Sequence, residues 1–416
     1  MGTKEYKRRI RIFIYTSEED CASCCHIRIW SPFRLFSKRL YRFVRIPSLD
    51  AFRQMLFMPD VIYLRRNYHY FPFTDRLLKI TSSKGVKTVM DIDDLITELP
   101  REHISYNYYD LNREKTIHFI RLMDFITVSN EELKNRLTPY NGNIYVLPNY
   151  LDSRIWDDKG RRFSGRQERG EQKIVIGYAG SRTHEYDFKL VTPAVKHMLS
   201  KYKGRVEFKF VGCIPRGLED MDGVRFYART TMPYLQYARF MKNCDFDFAL
   251  APLEDNAFNR CKSNIKFLEY SASRIPAIYS RTGPYKKEIH DGRTGIVVDN
   301  TTEAWIRAME RLIKEPVLRE DIASGAYEYV KANYMLSGNL DRWKDFYLKV
   351  RNCVQGGSKG VDFRYIRIYL PYLLHFELSK VYWNLRSRLT CFLNLRGKPG
   401  ERRRGRKWKR TASLKR

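Results

Sequence analysis

Short runs of β-branched and aromatic residues recur along the first 150 positions, and polar stretches with helical spacing separate them. Ile10–Tyr15, Val61–Leu64, Lys87–Asp91, Phe125–Val128 and Ile144–Leu147 are predicted strands. Thr74–Ser83, Arg113–Met123 and Glu131–Leu137 are predicted helices. Strands alternating with helices imply a parallel sheet covered on both faces. Pro148-Asn-Tyr-Leu-Asp152 interrupts the pattern, and the polar stretch 157–172, rich in Arg and Glu, is read as a linker. The alternation then restarts with Lys173–Ala179, Val206–Val211, Phe246–Leu250, Pro276–Tyr279 and Gly295–Val298. Two such blocks predict an α/β chain of two Rossmann-like domains, 1–160 and 161–350, with a ligand in the cleft between them. A third region, 351–416, begins near the joint Gly356-Gly-Ser-Lys-Gly360. Its 363–395 stretch is aromatic and basic, with Pro371 to break any long helix, and 402–416 is a polybasic tail.

Composition changes this picture in one respect. The 416 residues suffice for two ordinary domains, but the formal net charge is +30. Such an excess implies an anionic partner: nucleic acid, a phosphorylated substrate or an acidic lipid surface. Seventeen Lys/Arg against three Asp/Glu lie between 355 and 416, nearly half of the excess. The eight cysteines show no ladder of disulfide spacings, which suits a reducing cytoplasm. The basic start carries too short an apolar run, 12–15, for a signal peptide, and no stretch approaches the ~20 apolar residues of a membrane span. The expectation is a cytoplasmic protein, or a peripheral one on the inner face of the membrane.

Two stretches carry candidate chemistry. In Gly177-Tyr-Ala-Gly-Ser-Arg-Thr-His-Glu-Tyr-Asp-Phe188 a strand ends at Ala179 and a helix is predicted near 185–187. Gly180 would let backbone approach a ligand, Ser181 and His184 could donate to it, and Arg182 offers a fork suited to a diphosphate. An ordinary βα turn capped by Thr183 accounts for the stretch equally well. In the second stretch, a helix over 262–272 would place Lys262, Lys266 and Glu269 at i, i+4 and i+7 on one face, beside Ser263. Two ammonium groups can neutralise a diphosphate, and the carboxylate can accept both hydroxyls of a ribose. A solvated face with a Lys266–Glu269 pair is the competing reading.

Together these segments resemble the donor domain of GT-B glycosyltransferases, family 4 (group 1) type, which build bacterial surface polysaccharides. The likeness spans about 10–347 and includes Asp91-Ile-Asp-Asp-Leu95, Val128-Ser-Asn-Glu131, Leu147-Pro-Asn-Tyr150 and Asp291-Gly-Arg-Thr-Gly-Ile-Val-Val298. It implies a GT-B fold and transfer of a sugar from a nucleoside-diphosphate sugar to an acceptor hydroxyl. It implies retention, with neither metal nor cofactor. Glu269 matches the last acid of the family's Glu-seven-residues-Glu motif, Lys262 and Lys266 match basic positions near the diphosphate, and Gly180 with Arg182 matches the phosphate-facing turn. Cys261 stands where the first acid belongs, a departure that leaves the sugar open. The segment around Cys21-x-x-Cys24-Cys25-His26 has half of a zinc spacing, but by resemblance it is the loop and helix that meet the acceptor. Asp91, Asp93 and Asp94 admit three readings: a Mg²⁺ site, a helix cap, or acceptor orientation at the cleft.

Three partner classes follow. A nucleotide-sugar donor and a glycan or lipid-linked acceptor come from the resemblance. An anionic membrane surface fits the extension, where Tyr365, Ile366, Tyr369, Leu370 and Leu373 alternate with Arg364 and Arg367. Nucleic acid, held by the polybasic tail, is the alternative from a different class, and no recognised nucleic-acid motif accompanies it.

Overall fold

A computed structural model of the chain describes residues 9–16, 22–46, 58–67, 74–157, 173–227 and 232–354. The linker and nearly all of the basic extension lie outside these residues. Two six-stranded parallel sheets carry the fold. The first comprises β1 (Ile10–Tyr15), β2 (Tyr41–Ile46), β3 (Val61–Arg65), β4 (Lys87–Ile92), β5 (Phe125–Val128) and β6 (Ile144–Val146), in the order β2-β1-β3-β4-β5-β6. The second comprises β7 (Ile174–Ala179), β8 (Val206–Val211), β9 (Val224–Tyr227), β10 (Phe248–Ala251), β11 (Ala277–Ser280) and β12 (Ile296–Val298), in the order β12-β11-β10-β7-β8-β9. Every residue of β3, β5, β10 and β11 is buried, as a sheet covered by helices on both faces requires.

All ten predicted strands form. The two that the pattern misses, β2 and β9, are edge strands, one in each sheet. Each mixes arginine with aromatic residues (Arg42 and Arg45, Arg225) instead of forming an apolar run, because an edge strand has one neighbour and must discourage another. Helices form where a cap and an apolar stripe coincide. Asn130 accepts from the Leu133 N–H and opens Glu131–Leu137. Thr301 opens Thr302–Lys314, which buries Trp305, Ala308, Met309 and Leu312 at helical spacing against the second sheet.

The last described helix, Leu336–Asn352, departs from the linear division of the chain. It follows the second domain in sequence, yet Leu336, Leu340, Trp343, Phe346, Tyr347 and Val350 pack on Ile10, Ile12, Phe33 and Tyr63 of the first. Residues 336–350, which the linear division assigned to the second domain, therefore complete the core of the first. Trp343 is fully buried there. Trp343→Ala should cost about 3–5 kcal/mol in urea denaturation, whereas truncating the exposed Leu348 on the same helix should change stability by less than about 0.5 kcal/mol.

Candidate functional site

The carboxyl ends of both sheets open on one cavity of about 440 Å³, a size typical of small-ligand sites. It lies where strand order reverses, between β1 and β3 in the first sheet and between β7 and β10 in the second. Adjacent strands there send their following segments to opposite sides, which leaves a crevice. The chain leaving β1 supplies Ser23, Cys24 and Arg28, and those leaving β3 and β4 supply Arg66, Asp93 and Asp94. The chain leaving β7 supplies Gly180, Ser181, Thr183 and His184.

The first-domain wall rests on a buried charge network. Arg28 sits on a π-helical turn, His26–Trp30, and its Nη2 reaches Asp91 Oδ1 at 2.5 Å. Arg65 at the end of β3 holds the other Asp91 oxygen and donates to Asp93 at 3.0 Å. Arg66 donates to Asp93 at 2.8 Å and also pairs with Asp94. Thr127 of β5 donates to Asp91 at 2.7 Å. Burial alone would raise the Asp93 carboxyl, but Arg65, Arg66 and Arg28 hold it well below the usual carboxylate range. Asp94 is likewise lowered against burial, by Lys262 and Arg66. Neither the Mg²⁺ reading nor the helix cap survives this arrangement. The three carboxylates are committed to three guanidinium groups, and bends and turns follow β4 until the helix Tyr106–Leu111. No group of three metal-binding side chains occurs among the described residues, while Cys21 of the half zinc spacing lies outside them.

The second-domain wall begins at two glycines. A Cβ on Gly180 would lie 2.4 Å from the Tyr178 hydroxyl, and one on Gly212 would lie 2.5 Å from the Gly180 carbonyl. With Gly212 at φ +81°, only glycine fits the pair, and both glycines line the cavity. Arg182–Leu190 forms a 3₁₀ helix, with the Ser181 and Thr183 hydroxyls hydrogen-bonded at 2.6 Å. The predicted Thr183 cap is absent. His184 Nδ1 lies 3.0 Å from the buried Asp187, whose other oxygen accepts from the Glu254 N–H and from Asn259. Burial and then Lys262 push the His184 imidazole below its ordinary value, against the pull of Asp187. Arg182 does not join this wall. Its side chain is 62% exposed and pairs with Glu185.

Lys262, Ser263, Lys266 and Glu269 all line the cavity, but not on one helical face as predicted. The helix begins at Ile265, and Lys262 occupies the turn before it. Its Nζ lies 3.7 Å from Asp94 across the cleft and 4.5 Å from the Phe258 ring. Lys266 bonds the Ala179 carbonyl and stands 4.0 Å from Glu269. Burial lowers the Lys266 ammonium and raises the Glu269 carboxyl, each partly offset by the other. Tyr237 donates to Glu269 at 2.9 Å.

Polar contacts tie the two walls together at residues 261–263, among them a bond from Asn130 to the Lys262 carbonyl at 3.2 Å. Asn130 donates to the Cys261 carbonyl at 2.7 Å, Asn149 donates to Ser263 Oγ at 2.9 Å, and Asp94 faces Lys262. Phe258 and Cys261 themselves sink into the apolar core of the first domain. The Cys261 thiol is fully buried, pushed up to about 12 by that burial, and lines no part of the cavity. A small apolar side chain at 261 thus suits its surroundings.

Several site residues escaped the sequence reading. His103, whose Nδ1 accepts from the Ser105 N–H, packs between Tyr186 and Phe258 of the second domain. Burial and Lys262 lower its imidazole to about 4. Tyr234 and Tyr237, three apart on one helix, could have been singled out by that spacing, whereas His103 lies in a stretch without periodicity.

Residues 173–315 match the family model described as glycosyl transferases group 1. No curated protein matches the chain. Among solved structures, the Anabaena protein HepE in complex with UDP and glucose is 13% identical, with a TM-score of 0.56 over 82% of this chain and 100% of that one. Sucrose-phosphate synthase from Thermosynechococcus elongatus is 11% identical, with a TM-score of 0.61 over 83% and 100%. A glycosyltransferase from Rickettsia africae is 14% identical, with a TM-score of 0.53 over 84% and 100%. At these identities the likeness shows the fold: two Rossmann-like domains of GT-B type.

The charge network sets two expectations. Asp91→Ala strands two buried guanidinium groups and should destabilise the protein by about 3–5 kcal/mol in chemical denaturation. The native carboxyls of Asp93 and Asp94 are depressed, so their contribution is present above the unfolded value near ~4 and lost as pH falls through the native values. Asp93→Asn should therefore flatten the loss of stability between about pH 5 and pH 2.

Proposed function

We propose that the chain is a glycosyltransferase that holds a nucleoside-diphosphate sugar on its second-domain wall and transfers the sugar to an acceptor hydroxyl admitted along the first. One observation carries the reading. Lys262, Lys266 and Glu269 converge with the glycine floor at the switch point of the second sheet, inside the segment that matches the transferase family model. Lys266 and Lys262 would take the diphosphate charge, Gly180 and Ser181 would lie against the phosphates, and Glu269, oriented by Tyr237, would accept from the ribose.

The barrier in such a transfer is charge separation. The sugar becomes oxocarbenium-like while negative charge grows on the departing diphosphate, and preorganised cations in a closed cavity stabilise that change. Retention without a metal is our reading of the stereochemistry. Asp93 and Asp94, the carboxylates on the acceptor wall, are held ionised by cations and are poor bases. This favours a course in which the departing phosphate takes the acceptor proton. We assign the acceptor to a surface-glycan or lipid-linked hydroxyl, with the basic extension resting on anionic lipid. No helix among the described residues is long and apolar enough to cross a membrane. The nucleic-acid alternative finds no support in the cavity, whose cations are paired with carboxylates.

Thermal-shift screening against UDP-glucose, GDP-mannose and dTDP-glucose tests the reading, since a ligand that binds only the folded state raises the melting temperature. A rise of several degrees with one of them is expected, and oligonucleotides alone raising it would refute the assignment. Lys266→Ala should lower turnover by about 10²–10³-fold, and near-normal transfer would remove Lys266 from the site.

A further inference from the structure

His184 and Asp187 form a dyad that the transfer chemistry above leaves unused. Asp187 is fully buried behind His184 and fixed by the Glu254 N–H and Asn259. With Nδ1 engaged by that carboxylate, Nε2 is the nitrogen left for a ligand, and His184 lines the cavity. The groups that bear on the imidazole come from three places. Glu185, Arg182 and Asp187 share its own helix, and the first two are paired with each other. Lys262 and Lys266 act from the segment before and within the helix at 265–272, and His103 acts from the first domain.

Charge counting gives the dyad a role. Arg28, Arg65, Arg66, Lys262 and Lys266 are matched by the carboxylates of Asp91, Asp93, Asp94, Glu269 and Asp187. Among the described residues these five cations and five carboxylates balance while His184 is neutral. An entering diphosphate diester brings two negative charges into a partly desolvated site, where uncompensated charge is costly. The imidazole is the group best placed to answer it.

Resting on the donor-site reading, we propose that His184 is a proton-linked anchor for the donor diphosphate. As the donor binds, Nε2 takes one proton from solvent and donates it as a hydrogen bond to a phosphate oxygen, while Asp187 holds Nδ1–H and balances the imidazolium. His103 cannot take this part without losing its Nδ1 bond to the Ser105 N–H. It offers only a neutral Nε2–H.

Isothermal titration of the full chain with UDP-glucose, GDP-mannose and dTDP-glucose at pH 7.5, in buffers of different ionisation enthalpy, counts the protons taken up. The diphosphate of a sugar nucleotide does not titrate near neutrality, so uptake belongs to the protein. The expected result is uptake of about half a proton or more. Donor affinity should weaken as pH rises, approaching a factor of about ten per pH unit. His184→Gln keeps a donor near Nε2 but cannot titrate, and His184→Asn keeps a partner for Asp187 but removes Nε2. Uptake should vanish in both while persisting in His103→Gln. The first should retain measurable, pH-independent binding, and circular dichroism checks that both are folded. Binding without proton uptake, or uptake that survives in His184→Gln, overturns the anchor and leaves the transferase reading intact. Binding by none of the three sugar nucleotides overturns both.

Discussion

A single carboxylate, Asp91, sits between two guanidinium groups, and the geometry of the cavity descends from that arrangement. Asp91 is the penultimate residue of β4, Arg65 ends β3, and Arg28 comes from the helical segment after β1. Three successive strand ends of the first sheet are thereby fixed to one another at the switch point. Arg28 also reaches the Leu147 carbonyl and Asn149, which ties in the segment after β6. Asn149 in turn holds Ser263 beside Lys262. A chain of hydrogen bonds thus runs from the centre of the first sheet to the residue beside the second-domain lysine.

Such a network is a poor means of gaining stability. Removing several charges from water costs nearly as much as their attraction returns, and well-packed apolar residues of the same volume would often do as well. Its return is geometric. Apolar contacts are non-directional and tolerate small shifts, whereas a guanidinium that bridges two carboxylates has one satisfactory position. Between the two walls the polar contacts run through short loops. Directional bonds are therefore what can keep the first-domain wall in register with the second-domain wall. The burial of Phe258 and Cys261 in the first core adds an apolar foot to the same loop.

How far the sequence speaks depends on whether the signal is local. Buried parallel strands are short apolar runs, so ten of twelve could be read directly, and β2 and β9 were lost because edge strands trade apolar residues for charge. Gly180 could be read at the end of its strand, and Lys262, Lys266 and Glu269 because they fall within one stretch of eight residues. Lys262 still reaches the cavity from a turn rather than a helix, since Asn264 and Ile265 set the helix start and spacing alone does not locate it. Arg182 showed the opposite failure. Its type suits a phosphate, but the 3₁₀ turn directs it to solvent and to Glu185. The Arg28–Asp91–Arg65 network joins positions 63 and 26 residues apart. Such pairing leaves no periodic trace in one sequence, and His103 is hidden for the same reason.

The neutrality of the cavity bears on catalysis as well as on binding. Lys262 already has Asp94, and Lys266 already has Glu269 and the Ala179 carbonyl. On the proposed donor-site reading, a diphosphate would therefore compete for cations that have partners, and ground-state binding would be an exchange of contacts rather than a clear gain. That exchange shifts toward the ligand as the bond to the sugar breaks, because the departing diphosphate then carries more negative charge than the carboxylates it displaces. Interactions that strengthen only at that point lower the barrier without trapping the substrate. Paired lysines in a neutral cavity are thus better suited to fast turnover than free lysines in a basic one. In sequence, nearly half of the charge excess falls beyond residue 355.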